Sequence, residues 1–426
     1  MNSVSVPNRV NGGLRLRVMP NMIALIAIIA IGIIPALNKN IVNAVRLVFF
    51  FLWLFSLGFA GNISLKKTEL GIVKWWSIFL FLQILYSLLG VSTDVLFFVG
   101  KAHIYFIPIA MVVVVKYYSL REMKILWMAT LIIFSVCLFQ NVIIGLREGS
   151  DVFLDVAKES NVGKTAFVAI CQFMITTFWI VFKCSSNKKS RMISLFLLIL
   201  ATYHMIFQNN RAAYTLTLIF VFVGMILISM PKEKIRLRTI VIGSVVISLF
   251  MYPLLSSFLH TLSSTFSEVG RLSSRLDDLS VFTSNGNIED VDNGGSLYHR
   301  YILWETSINT FFSSIQNFIF GIGEVRYNDD FYYRINSGVG FHSEFFDLAA
   351  RYGIIGLTIF YFALKNTIKY ISNLCFNTEV KNMLNVTILS LVIPMFINNV
   401  TTDVGVVVIP FLFLPISIIL LKYNKI

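Results

Sequence analysis

Apolar runs of about 17–22 residues, the length that crosses a bilayer as a helix, recur from one end of the chain to the other. They fall near 22–37, 43–60, 73–90, 103–117, 124–145, 164–183, 191–208, 212–230, 238–255, 351–370, 382–398 and 406–422. The pattern predicts an all-α polytopic membrane protein of about twelve transmembrane helices. Most connections are short. The largest, about 256–350, separates the ninth span from the tenth, and a smaller one covers about 146–164. The expected organisation is an N-terminal bundle over 1–255, a large loop over 256–350 and C-terminal helices over 351–426, acting as one integral unit.

The large loop has a pattern of its own. Its middle, SNGNIEDVDNGG, is polar and rich in turn residues. The next segment, SLYHRYILWETSINTFF, sets Tyr298, Ile302, Ile308 and Phe312 at amphipathic spacing. That predicts a helix lying on the membrane surface or over the bundle. FIFGIGEVRY then gives a turn at Gly321 and Gly323. In FHSEFFDLAARYGIIGL a histidine opens a helix. Asp347 and Arg351 stand four apart there with the acid first, the favourable order. His342, Phe346, Ala349, Gly353 and Gly356 fall near one face.

Composition agrees with the pattern. The chain is 57% hydrophobic and 13% charged, against about 25% charged in soluble domains. The net charge of +13 raises nucleic acid as a partner, but the placement of the basic residues excludes it. Arg9, Arg15 and Arg17 precede the first span. Lys66, Lys67 and Lys74, then Lys116, Arg121 and Lys124, then Lys183, Lys188, Lys189 and Arg191 mark alternate connections. Lys232, Lys234, Arg236 and Arg238 continue the series, followed by Lys365, Lys369 and Lys381, then Lys422 and Lys425. The intervening connections are mixed or acidic, as in Glu148, Asp151, Asp155 and Glu159. By the positive-inside rule both termini are cytoplasmic and the large loop faces outward. The first run imitates a signal peptide but has no convincing small-residue cleavage site, so an uncleaved anchor is expected. Cys137, Cys171, Cys184 and Cys375 lie in or beside apolar runs, with neither metal-ligand spacing nor a disulfide framework. There is no internal repeat of the kind that builds many transporters.

Three residues stand out chemically. Arg211, in QNNRAAY, lies at the outer mouth of a span. It is either an anchor snorkelling to the interface or a guanidinium leaning into an outward cavity. Arg300 precedes Trp304 by one helical turn, as a solvated or ring-stacked arginine or as an anion ligand. His342 starts a helix beside Ser343, Glu344 and Asp347. A helix start offers backbone N–H groups to an anion, and a histidine there suits a general base near neutral pH. His204, Arg46, Lys101, His103 and Asp403 also map toward the outer side, and Arg147 begins the smaller outer loop with Gly163 at its end.

His342-Ser343, nine residues, Gly353, two residues, Gly356 resembles the signature of bacterial O-antigen ligases and O-antigen polymerases. Arg211 before two alanines, and Arg300 with Trp304 followed by Gly321 and Gly323, resemble that family's preceding segments. The resemblance covers roughly 208–360. It implies a glycosyltransferase of the bacterial inner membrane, working at the periplasmic face on a glycan carried by undecaprenyl pyrophosphate. His342, Arg211 and Arg300 would be catalytic. Arg211, Arg300, Trp304, Gly321, Gly323, Ser343 and, less directly, Arg147 would bind substrate. No cofactor and no metal are implied; a chain-length regulator and a flippase are implied as partners. Polymerase and ligase share the signature. The loop's Asp277, Asp278, Glu289, Asp290 and Asp292 offset Arg271 and Arg275, which favours polymerase, since a ligase must receive an anionic lipid A–core. A lipid-linked oligosaccharide flippase is the reading from another class.

Overall fold

The computed structural model describes residues 18–34, 43–58, 65–89, 105–159, 164–207, 221–222, 224–225, 264, 296–325, 330–397 and 407–426. Among them there are helices and no strands. Among the described residues, the long helices before the large loop are α1 (Val18–Ile33), α2 (Asn43–Gly58), α3 (Lys67–Leu89), α4 (Ile107–Tyr117), α5 (Leu120–Glu159), α6 (Lys164–Cys184) and α7 (Lys188–Phe207). The described part of the loop forms α8 (Ser296–Phe312), α9 (Ile315–Phe320) and α10 (Phe331–Ser337). Then come α11 (Glu344–Leu374), α12 (Thr378–Ile397) and a π-helical turn, Ile409–Phe413, that runs into α13 (Leu414–Lys422).

Ten of the expected spans coincide with these helices. Those at 212–230 and 238–255 lie almost wholly outside the described residues. By length and composition, Lys67–Leu88, Leu120–Phe139 and Glu344–Leu374 can cross a membrane, while Met19–Ile33, Ile107–Tyr117, Met174–Cys184 and Ile409–Lys422 are apolar but shorter. The apolar outside supports the same setting: Phe55, Phe81, Leu88, Ile132 and Ile199 are exposed on their helices. The connection expected at 146–164 is mostly helix, because α5 continues to Glu159. Residues such as Leu146, Glu148, Leu154, Ala157 and Lys158 are good helix formers, so the helix outlasts the apolar run.

The core is aromatic and aliphatic, tied by a few polar contacts. The Trp127 ring stacks on Phe413 at 5.6 Å, and its indole N–H donates to Ser417 at 2.8 Å. Trp76 donates to Thr367 at 2.9 Å, joining α3 to α11. Other contacts mark one end of the bundle. Tyr118 donates to Asn21 at 2.6 Å, and Asn21 donates to Ser56 at 2.7 Å. Lys116 pairs with Glu69 at 2.8 Å. Ser185 donates to the carbonyl of Ile426 at 2.8 Å. These contacts tie the start of α1 to the ends of α2 and α4 and the start of α3, and the chain end to the α6–α7 turn. The described basic connections at Lys66–Lys67 and Lys116 therefore share one end of the bundle, and the connection at Lys188–Lys189 lies beside the chain end. The opposite end of α3 meets the loop, where Tyr86 donates to the Phe320 carbonyl at 2.6 Å.

Candidate functional site

At that opposite end, α11 begins and breaks. Its N-cap is Ser343, whose hydroxyl accepts from the Phe346 N–H. Nine residues into the helix, Gly353 adopts φ 62° and ψ −164°, so Glu344–Leu374 is two helices joined at a kink. The kink releases the carbonyls of Ala350 and Arg351 from helical bonding. The N–H groups of Ile322 and Gly323 take them up, each at 2.9 Å. Gly321, at φ 76°, lies against the Arg351 backbone, and Gly353 lies against the Ile319 carbonyl; a Cβ on either would collide with main chain. The two backbones cross where neither carries a side chain, and both glycines hold a conformation other residues resist. Gly356 has its own reason: a Cβ there would run into the side chain of Tyr352.

Charge fastens the crossing. The Tyr352 hydroxyl donates to the Glu324 carboxylate, and Arg351 pairs with the other oxygen of Glu324 at 3.4 Å. Arg351 also donates from Nε to the Asp347 carbonyl at 3.3 Å. At the i,i+4 spacing read from the sequence, Arg351 thus bonds the main chain of Asp347, and Glu324 is its ion-pair partner.

The carboxylate of Asp347 turns toward the segment before the helix. It accepts from the Phe341 N–H at 3.1 Å, from the Ser343 N–H at 3.1 Å and from the Ser307 hydroxyl at 2.7 Å. Ser307 in turn accepts from the Gly340 N–H at 2.9 Å. An acidic group near a helix N-terminus is favoured by the helix dipole, and reaching back to the N-cap N–H extends capping-box logic by one residue. These bonds hold Phe341 at φ 56°, a left-handed conformation that costs about 1–2 kcal/mol for a residue with a Cβ.

His342 sits between the two N–H groups that Asp347 holds. Its own carbonyl accepts from the Trp304 indole at 2.9 Å. Its Nδ1 lies 2.9 Å from the Phe341 carbonyl. A carbonyl only accepts, so this bond puts the ring proton on Nδ1 and the basic lone pair on Nε2. The ring is half-buried.

α8 supplies the wall. Its buried stripe is Arg300, Leu303, Ser307 and Phe311. The sequence pattern pointed to Tyr298, Ile302, Ile308 and Phe312, but Phe312 is 66% exposed. The helix is rotated because its inner face serves the Gly340–Ser343 segment with polar groups as well as packing. Arg300 and Trp304 are one turn apart, hence neighbours on the surface of α8. Arg334, on α10, is buried too. It was not singled out from the sequence. The signal for its helix was present: Asp330 caps the Tyr333 N–H at 2.6 Å, and Gly338 ends the helix at φ 75°.

The structure thus brings His342, Ser343 and Trp304 into direct contact with shared backbone, with Arg300 on the same helix as Trp304. Gly321 and Gly323 join the site through the kinked helix. Arg147 lies on α5. Arg211 falls outside the described residues, as do Lys101, His103 and Asp403, while Arg46 lies on α2 and His204 on α7. Sequence reasoning missed Ser307, Glu324, Tyr352 and Arg334. Among the described residues, no three His, Cys, Asp or Glu side chains gather as a metal site.

Residues 195–361 match the family described as O-antigen ligase. The matched stretch contains Arg211, Arg300, Trp304, Gly321, Gly323, His342, Ser343, Gly353 and Gly356, and leaves out Arg147. No curated protein gives a match to the chain. At 195–361, with its histidine–serine pair and its two spaced glycines, the chain thus carries a region similar to the O-antigen ligase family.

Proposed function

We propose that the protein is an O-antigen polymerase of the bacterial inner membrane, joining repeat units carried on undecaprenyl pyrophosphate at the periplasmic face. The observation that carries this reading is the set histidine: Nδ1 bonded to the Phe341 carbonyl, Nε2 bearing the lone pair, at the end of the bundle opposite the basic connections. In the reaction, Nε2 of His342 takes the proton from the acceptor sugar hydroxyl. The oxygen attacks the anomeric carbon, and the glycosidic bond to pyrophosphate breaks from the other side, so the configuration inverts. The bonding electrons leave with the lipid pyrophosphate. Guanidinium forks suit phosphate oxygens, and Arg300 with Arg211 stabilise that leaving charge. Trp304 holds the His342 backbone, and Gly321, Gly323 and Ser343 shape the binding surface; Arg147 contributes to substrate binding from α5. Lipid-linked oligosaccharide is the substrate. A chain-length regulator and a flippase are partners in the same assembly line. No metal or soluble cofactor takes part, so chelation leaves the rate unchanged; loss of activity with chelator and recovery with a divalent ion would overturn this.

The acidic balance around Asp277, Asp278, Glu289, Asp290 and Asp292 supports polymerase over ligase. The family's description favours the second reading, transfer of the finished glycan to lipid A–core. Deleting the gene and resolving surface polysaccharide on a gel decides between them. Core with one repeat unit means polymerase. Bare core, with long glycan stranded on the lipid carrier, means ligase. An unchanged ladder rejects both and returns the transporter reading.

A further inference from the structure

We infer that Asp347, acting with Ser307, is a positioning residue for His342, holding the backbone on both sides of the histidine rather than touching substrate. The inference rests on the reading of His342 as the base. Three observations carry it. The Asp347 carboxylate accepts the N–H of the residue before His342 and of the residue after it. Ser307 donates to the same carboxylate and accepts from Gly340, extending the grip one residue further. Phe341, between these anchors, is held in a left-handed conformation that it would leave without them.

The arrangement divides the labour. Asp347 does not contact the imidazole in these bonds; it fixes the peptide planes from which the ring projects. The Phe341 carbonyl, which holds Nδ1, belongs to the turn that Asp347 stabilises. Relaxing Phe341 to ordinary backbone angles would swing that carbonyl and release the ring. A misplacement of about 1 Å at a reacting group costs roughly a hundredfold in rate. The carboxylate and hydroxyl are nearly inaccessible, Asp347 at 1% and Ser307 at 0% exposure, so neither side chain is available to meet a glycan. A simple helix cap would need one N–H; the bonds to Phe341 and, through Ser307, to Gly340 lie outside the helix.

Asp347→Asn tests this, because it keeps the volume and converts one accepting oxygen into a donor. The full-length protein in detergent or nanodiscs is assayed in two ways. Modification of His342 by diethyl pyrocarbonate, quantified by mass spectrometry across pH with His103 and His204 as internal controls, reads the ring directly. Transfer from a lipid-linked oligosaccharide reads kcat and KM for the donor. The expected result is a His342 modification rate changed several-fold with the control histidines unchanged, and a kcat lowered about a hundredfold at nearly constant KM. Should Asp347→Asn fail to fold, Ser307→Ala removes both the donor to Asp347 and the acceptor for Gly340 while leaving the carboxylate on Phe341 and Ser343, and must shift His342 reactivity in the same sense. Unchanged His342 reactivity in the folded variants overturns the inference. If wild-type protein shows no transfer at all, the proposed function fails, while the modification data still decide whether Asp347 positions the histidine.

Discussion

At the residue scale, the site depends on a few side chains that each do one thing. His342→Ala removes the base and is expected to lower transfer by about 10²–10⁴-fold, the usual contribution of general base catalysis; complementation of a deletion strain, read as the polysaccharide ladder, checks it, and full rescue would remove the histidine from the mechanism. Arg300 is buried on α8. Arg300→Lys keeps the charge without the planar fork, and Arg300→Ala loses both, so activity falls in the order wild type, lysine, alanine if the fork binds phosphate oxygens. Equal loss in both variants would mean that only the fork's geometry matters. Trp304→Phe keeps the ring and deletes the indole donor to the His342 carbonyl. A lost hydrogen bond of this kind costs about 1 kcal/mol, so a several-fold drop in kcat is expected with the protein folded.

At the element scale, the crossing of the Phe320–Gly323 segment with kinked α11 determines where α8 and the histidine turn can sit. Gly353→Ala must either give up the left-handed backbone angle or push against Ile319. Such strain costs about 1–3 kcal/mol before the collision is counted, so the variant should unfold at lower temperature in a detergent melt. Glu324→Ala leaves Arg351 without its carboxylate partner in a buried site. Breaking a buried pair on one side costs about 3 kcal/mol, so a larger shift of the melt is expected than for exposed Glu305→Ala on α8.

At the scale of the whole molecule, the contacts put Lys66–Lys67 and Lys116 at one end of α3 and the loop segment that leads to the histidine turn at the other. If the chain spans the membrane in the order its charges dictate, these ends face opposite sides. In a version lacking the four native cysteines, Tyr332→Cys on α10, where the tyrosine is 73% exposed, should label with an impermeant thiol reagent added to spheroplasts. Lys188→Cys at the α6–α7 turn should label only after lysis. Labelling of both from outside would reject the topology.

Much of this protein is legible before folding. Periodic apolar runs predict helices because a backbone in hydrocarbon must satisfy its own hydrogen bonds, and ten expected spans coincide with described helices. His342, Ser343, Arg300, Trp304 and the glycine pairs are legible because their types are unusual for a membrane surface and their spacing matches a signature. The buried face of α8 is not legible, since Ser307 turns inward for Asp347 and Gly340, partners more than thirty residues away that no local pattern reveals. Nor is the length of α5, where helix propensity outruns hydrophobicity. Asp347 looks in sequence like half of an i,i+4 ion pair with Arg351. Only the tertiary structure, by turning the preceding loop back over the helix start, makes it the anchor of the histidine and gives Arg351 a partner in Glu324. Sequence alone determined the elements and the reactive residue types, because both follow from short-range chemistry; tertiary structure decided which polar groups face one another, because that depends on chain crossings far apart in sequence.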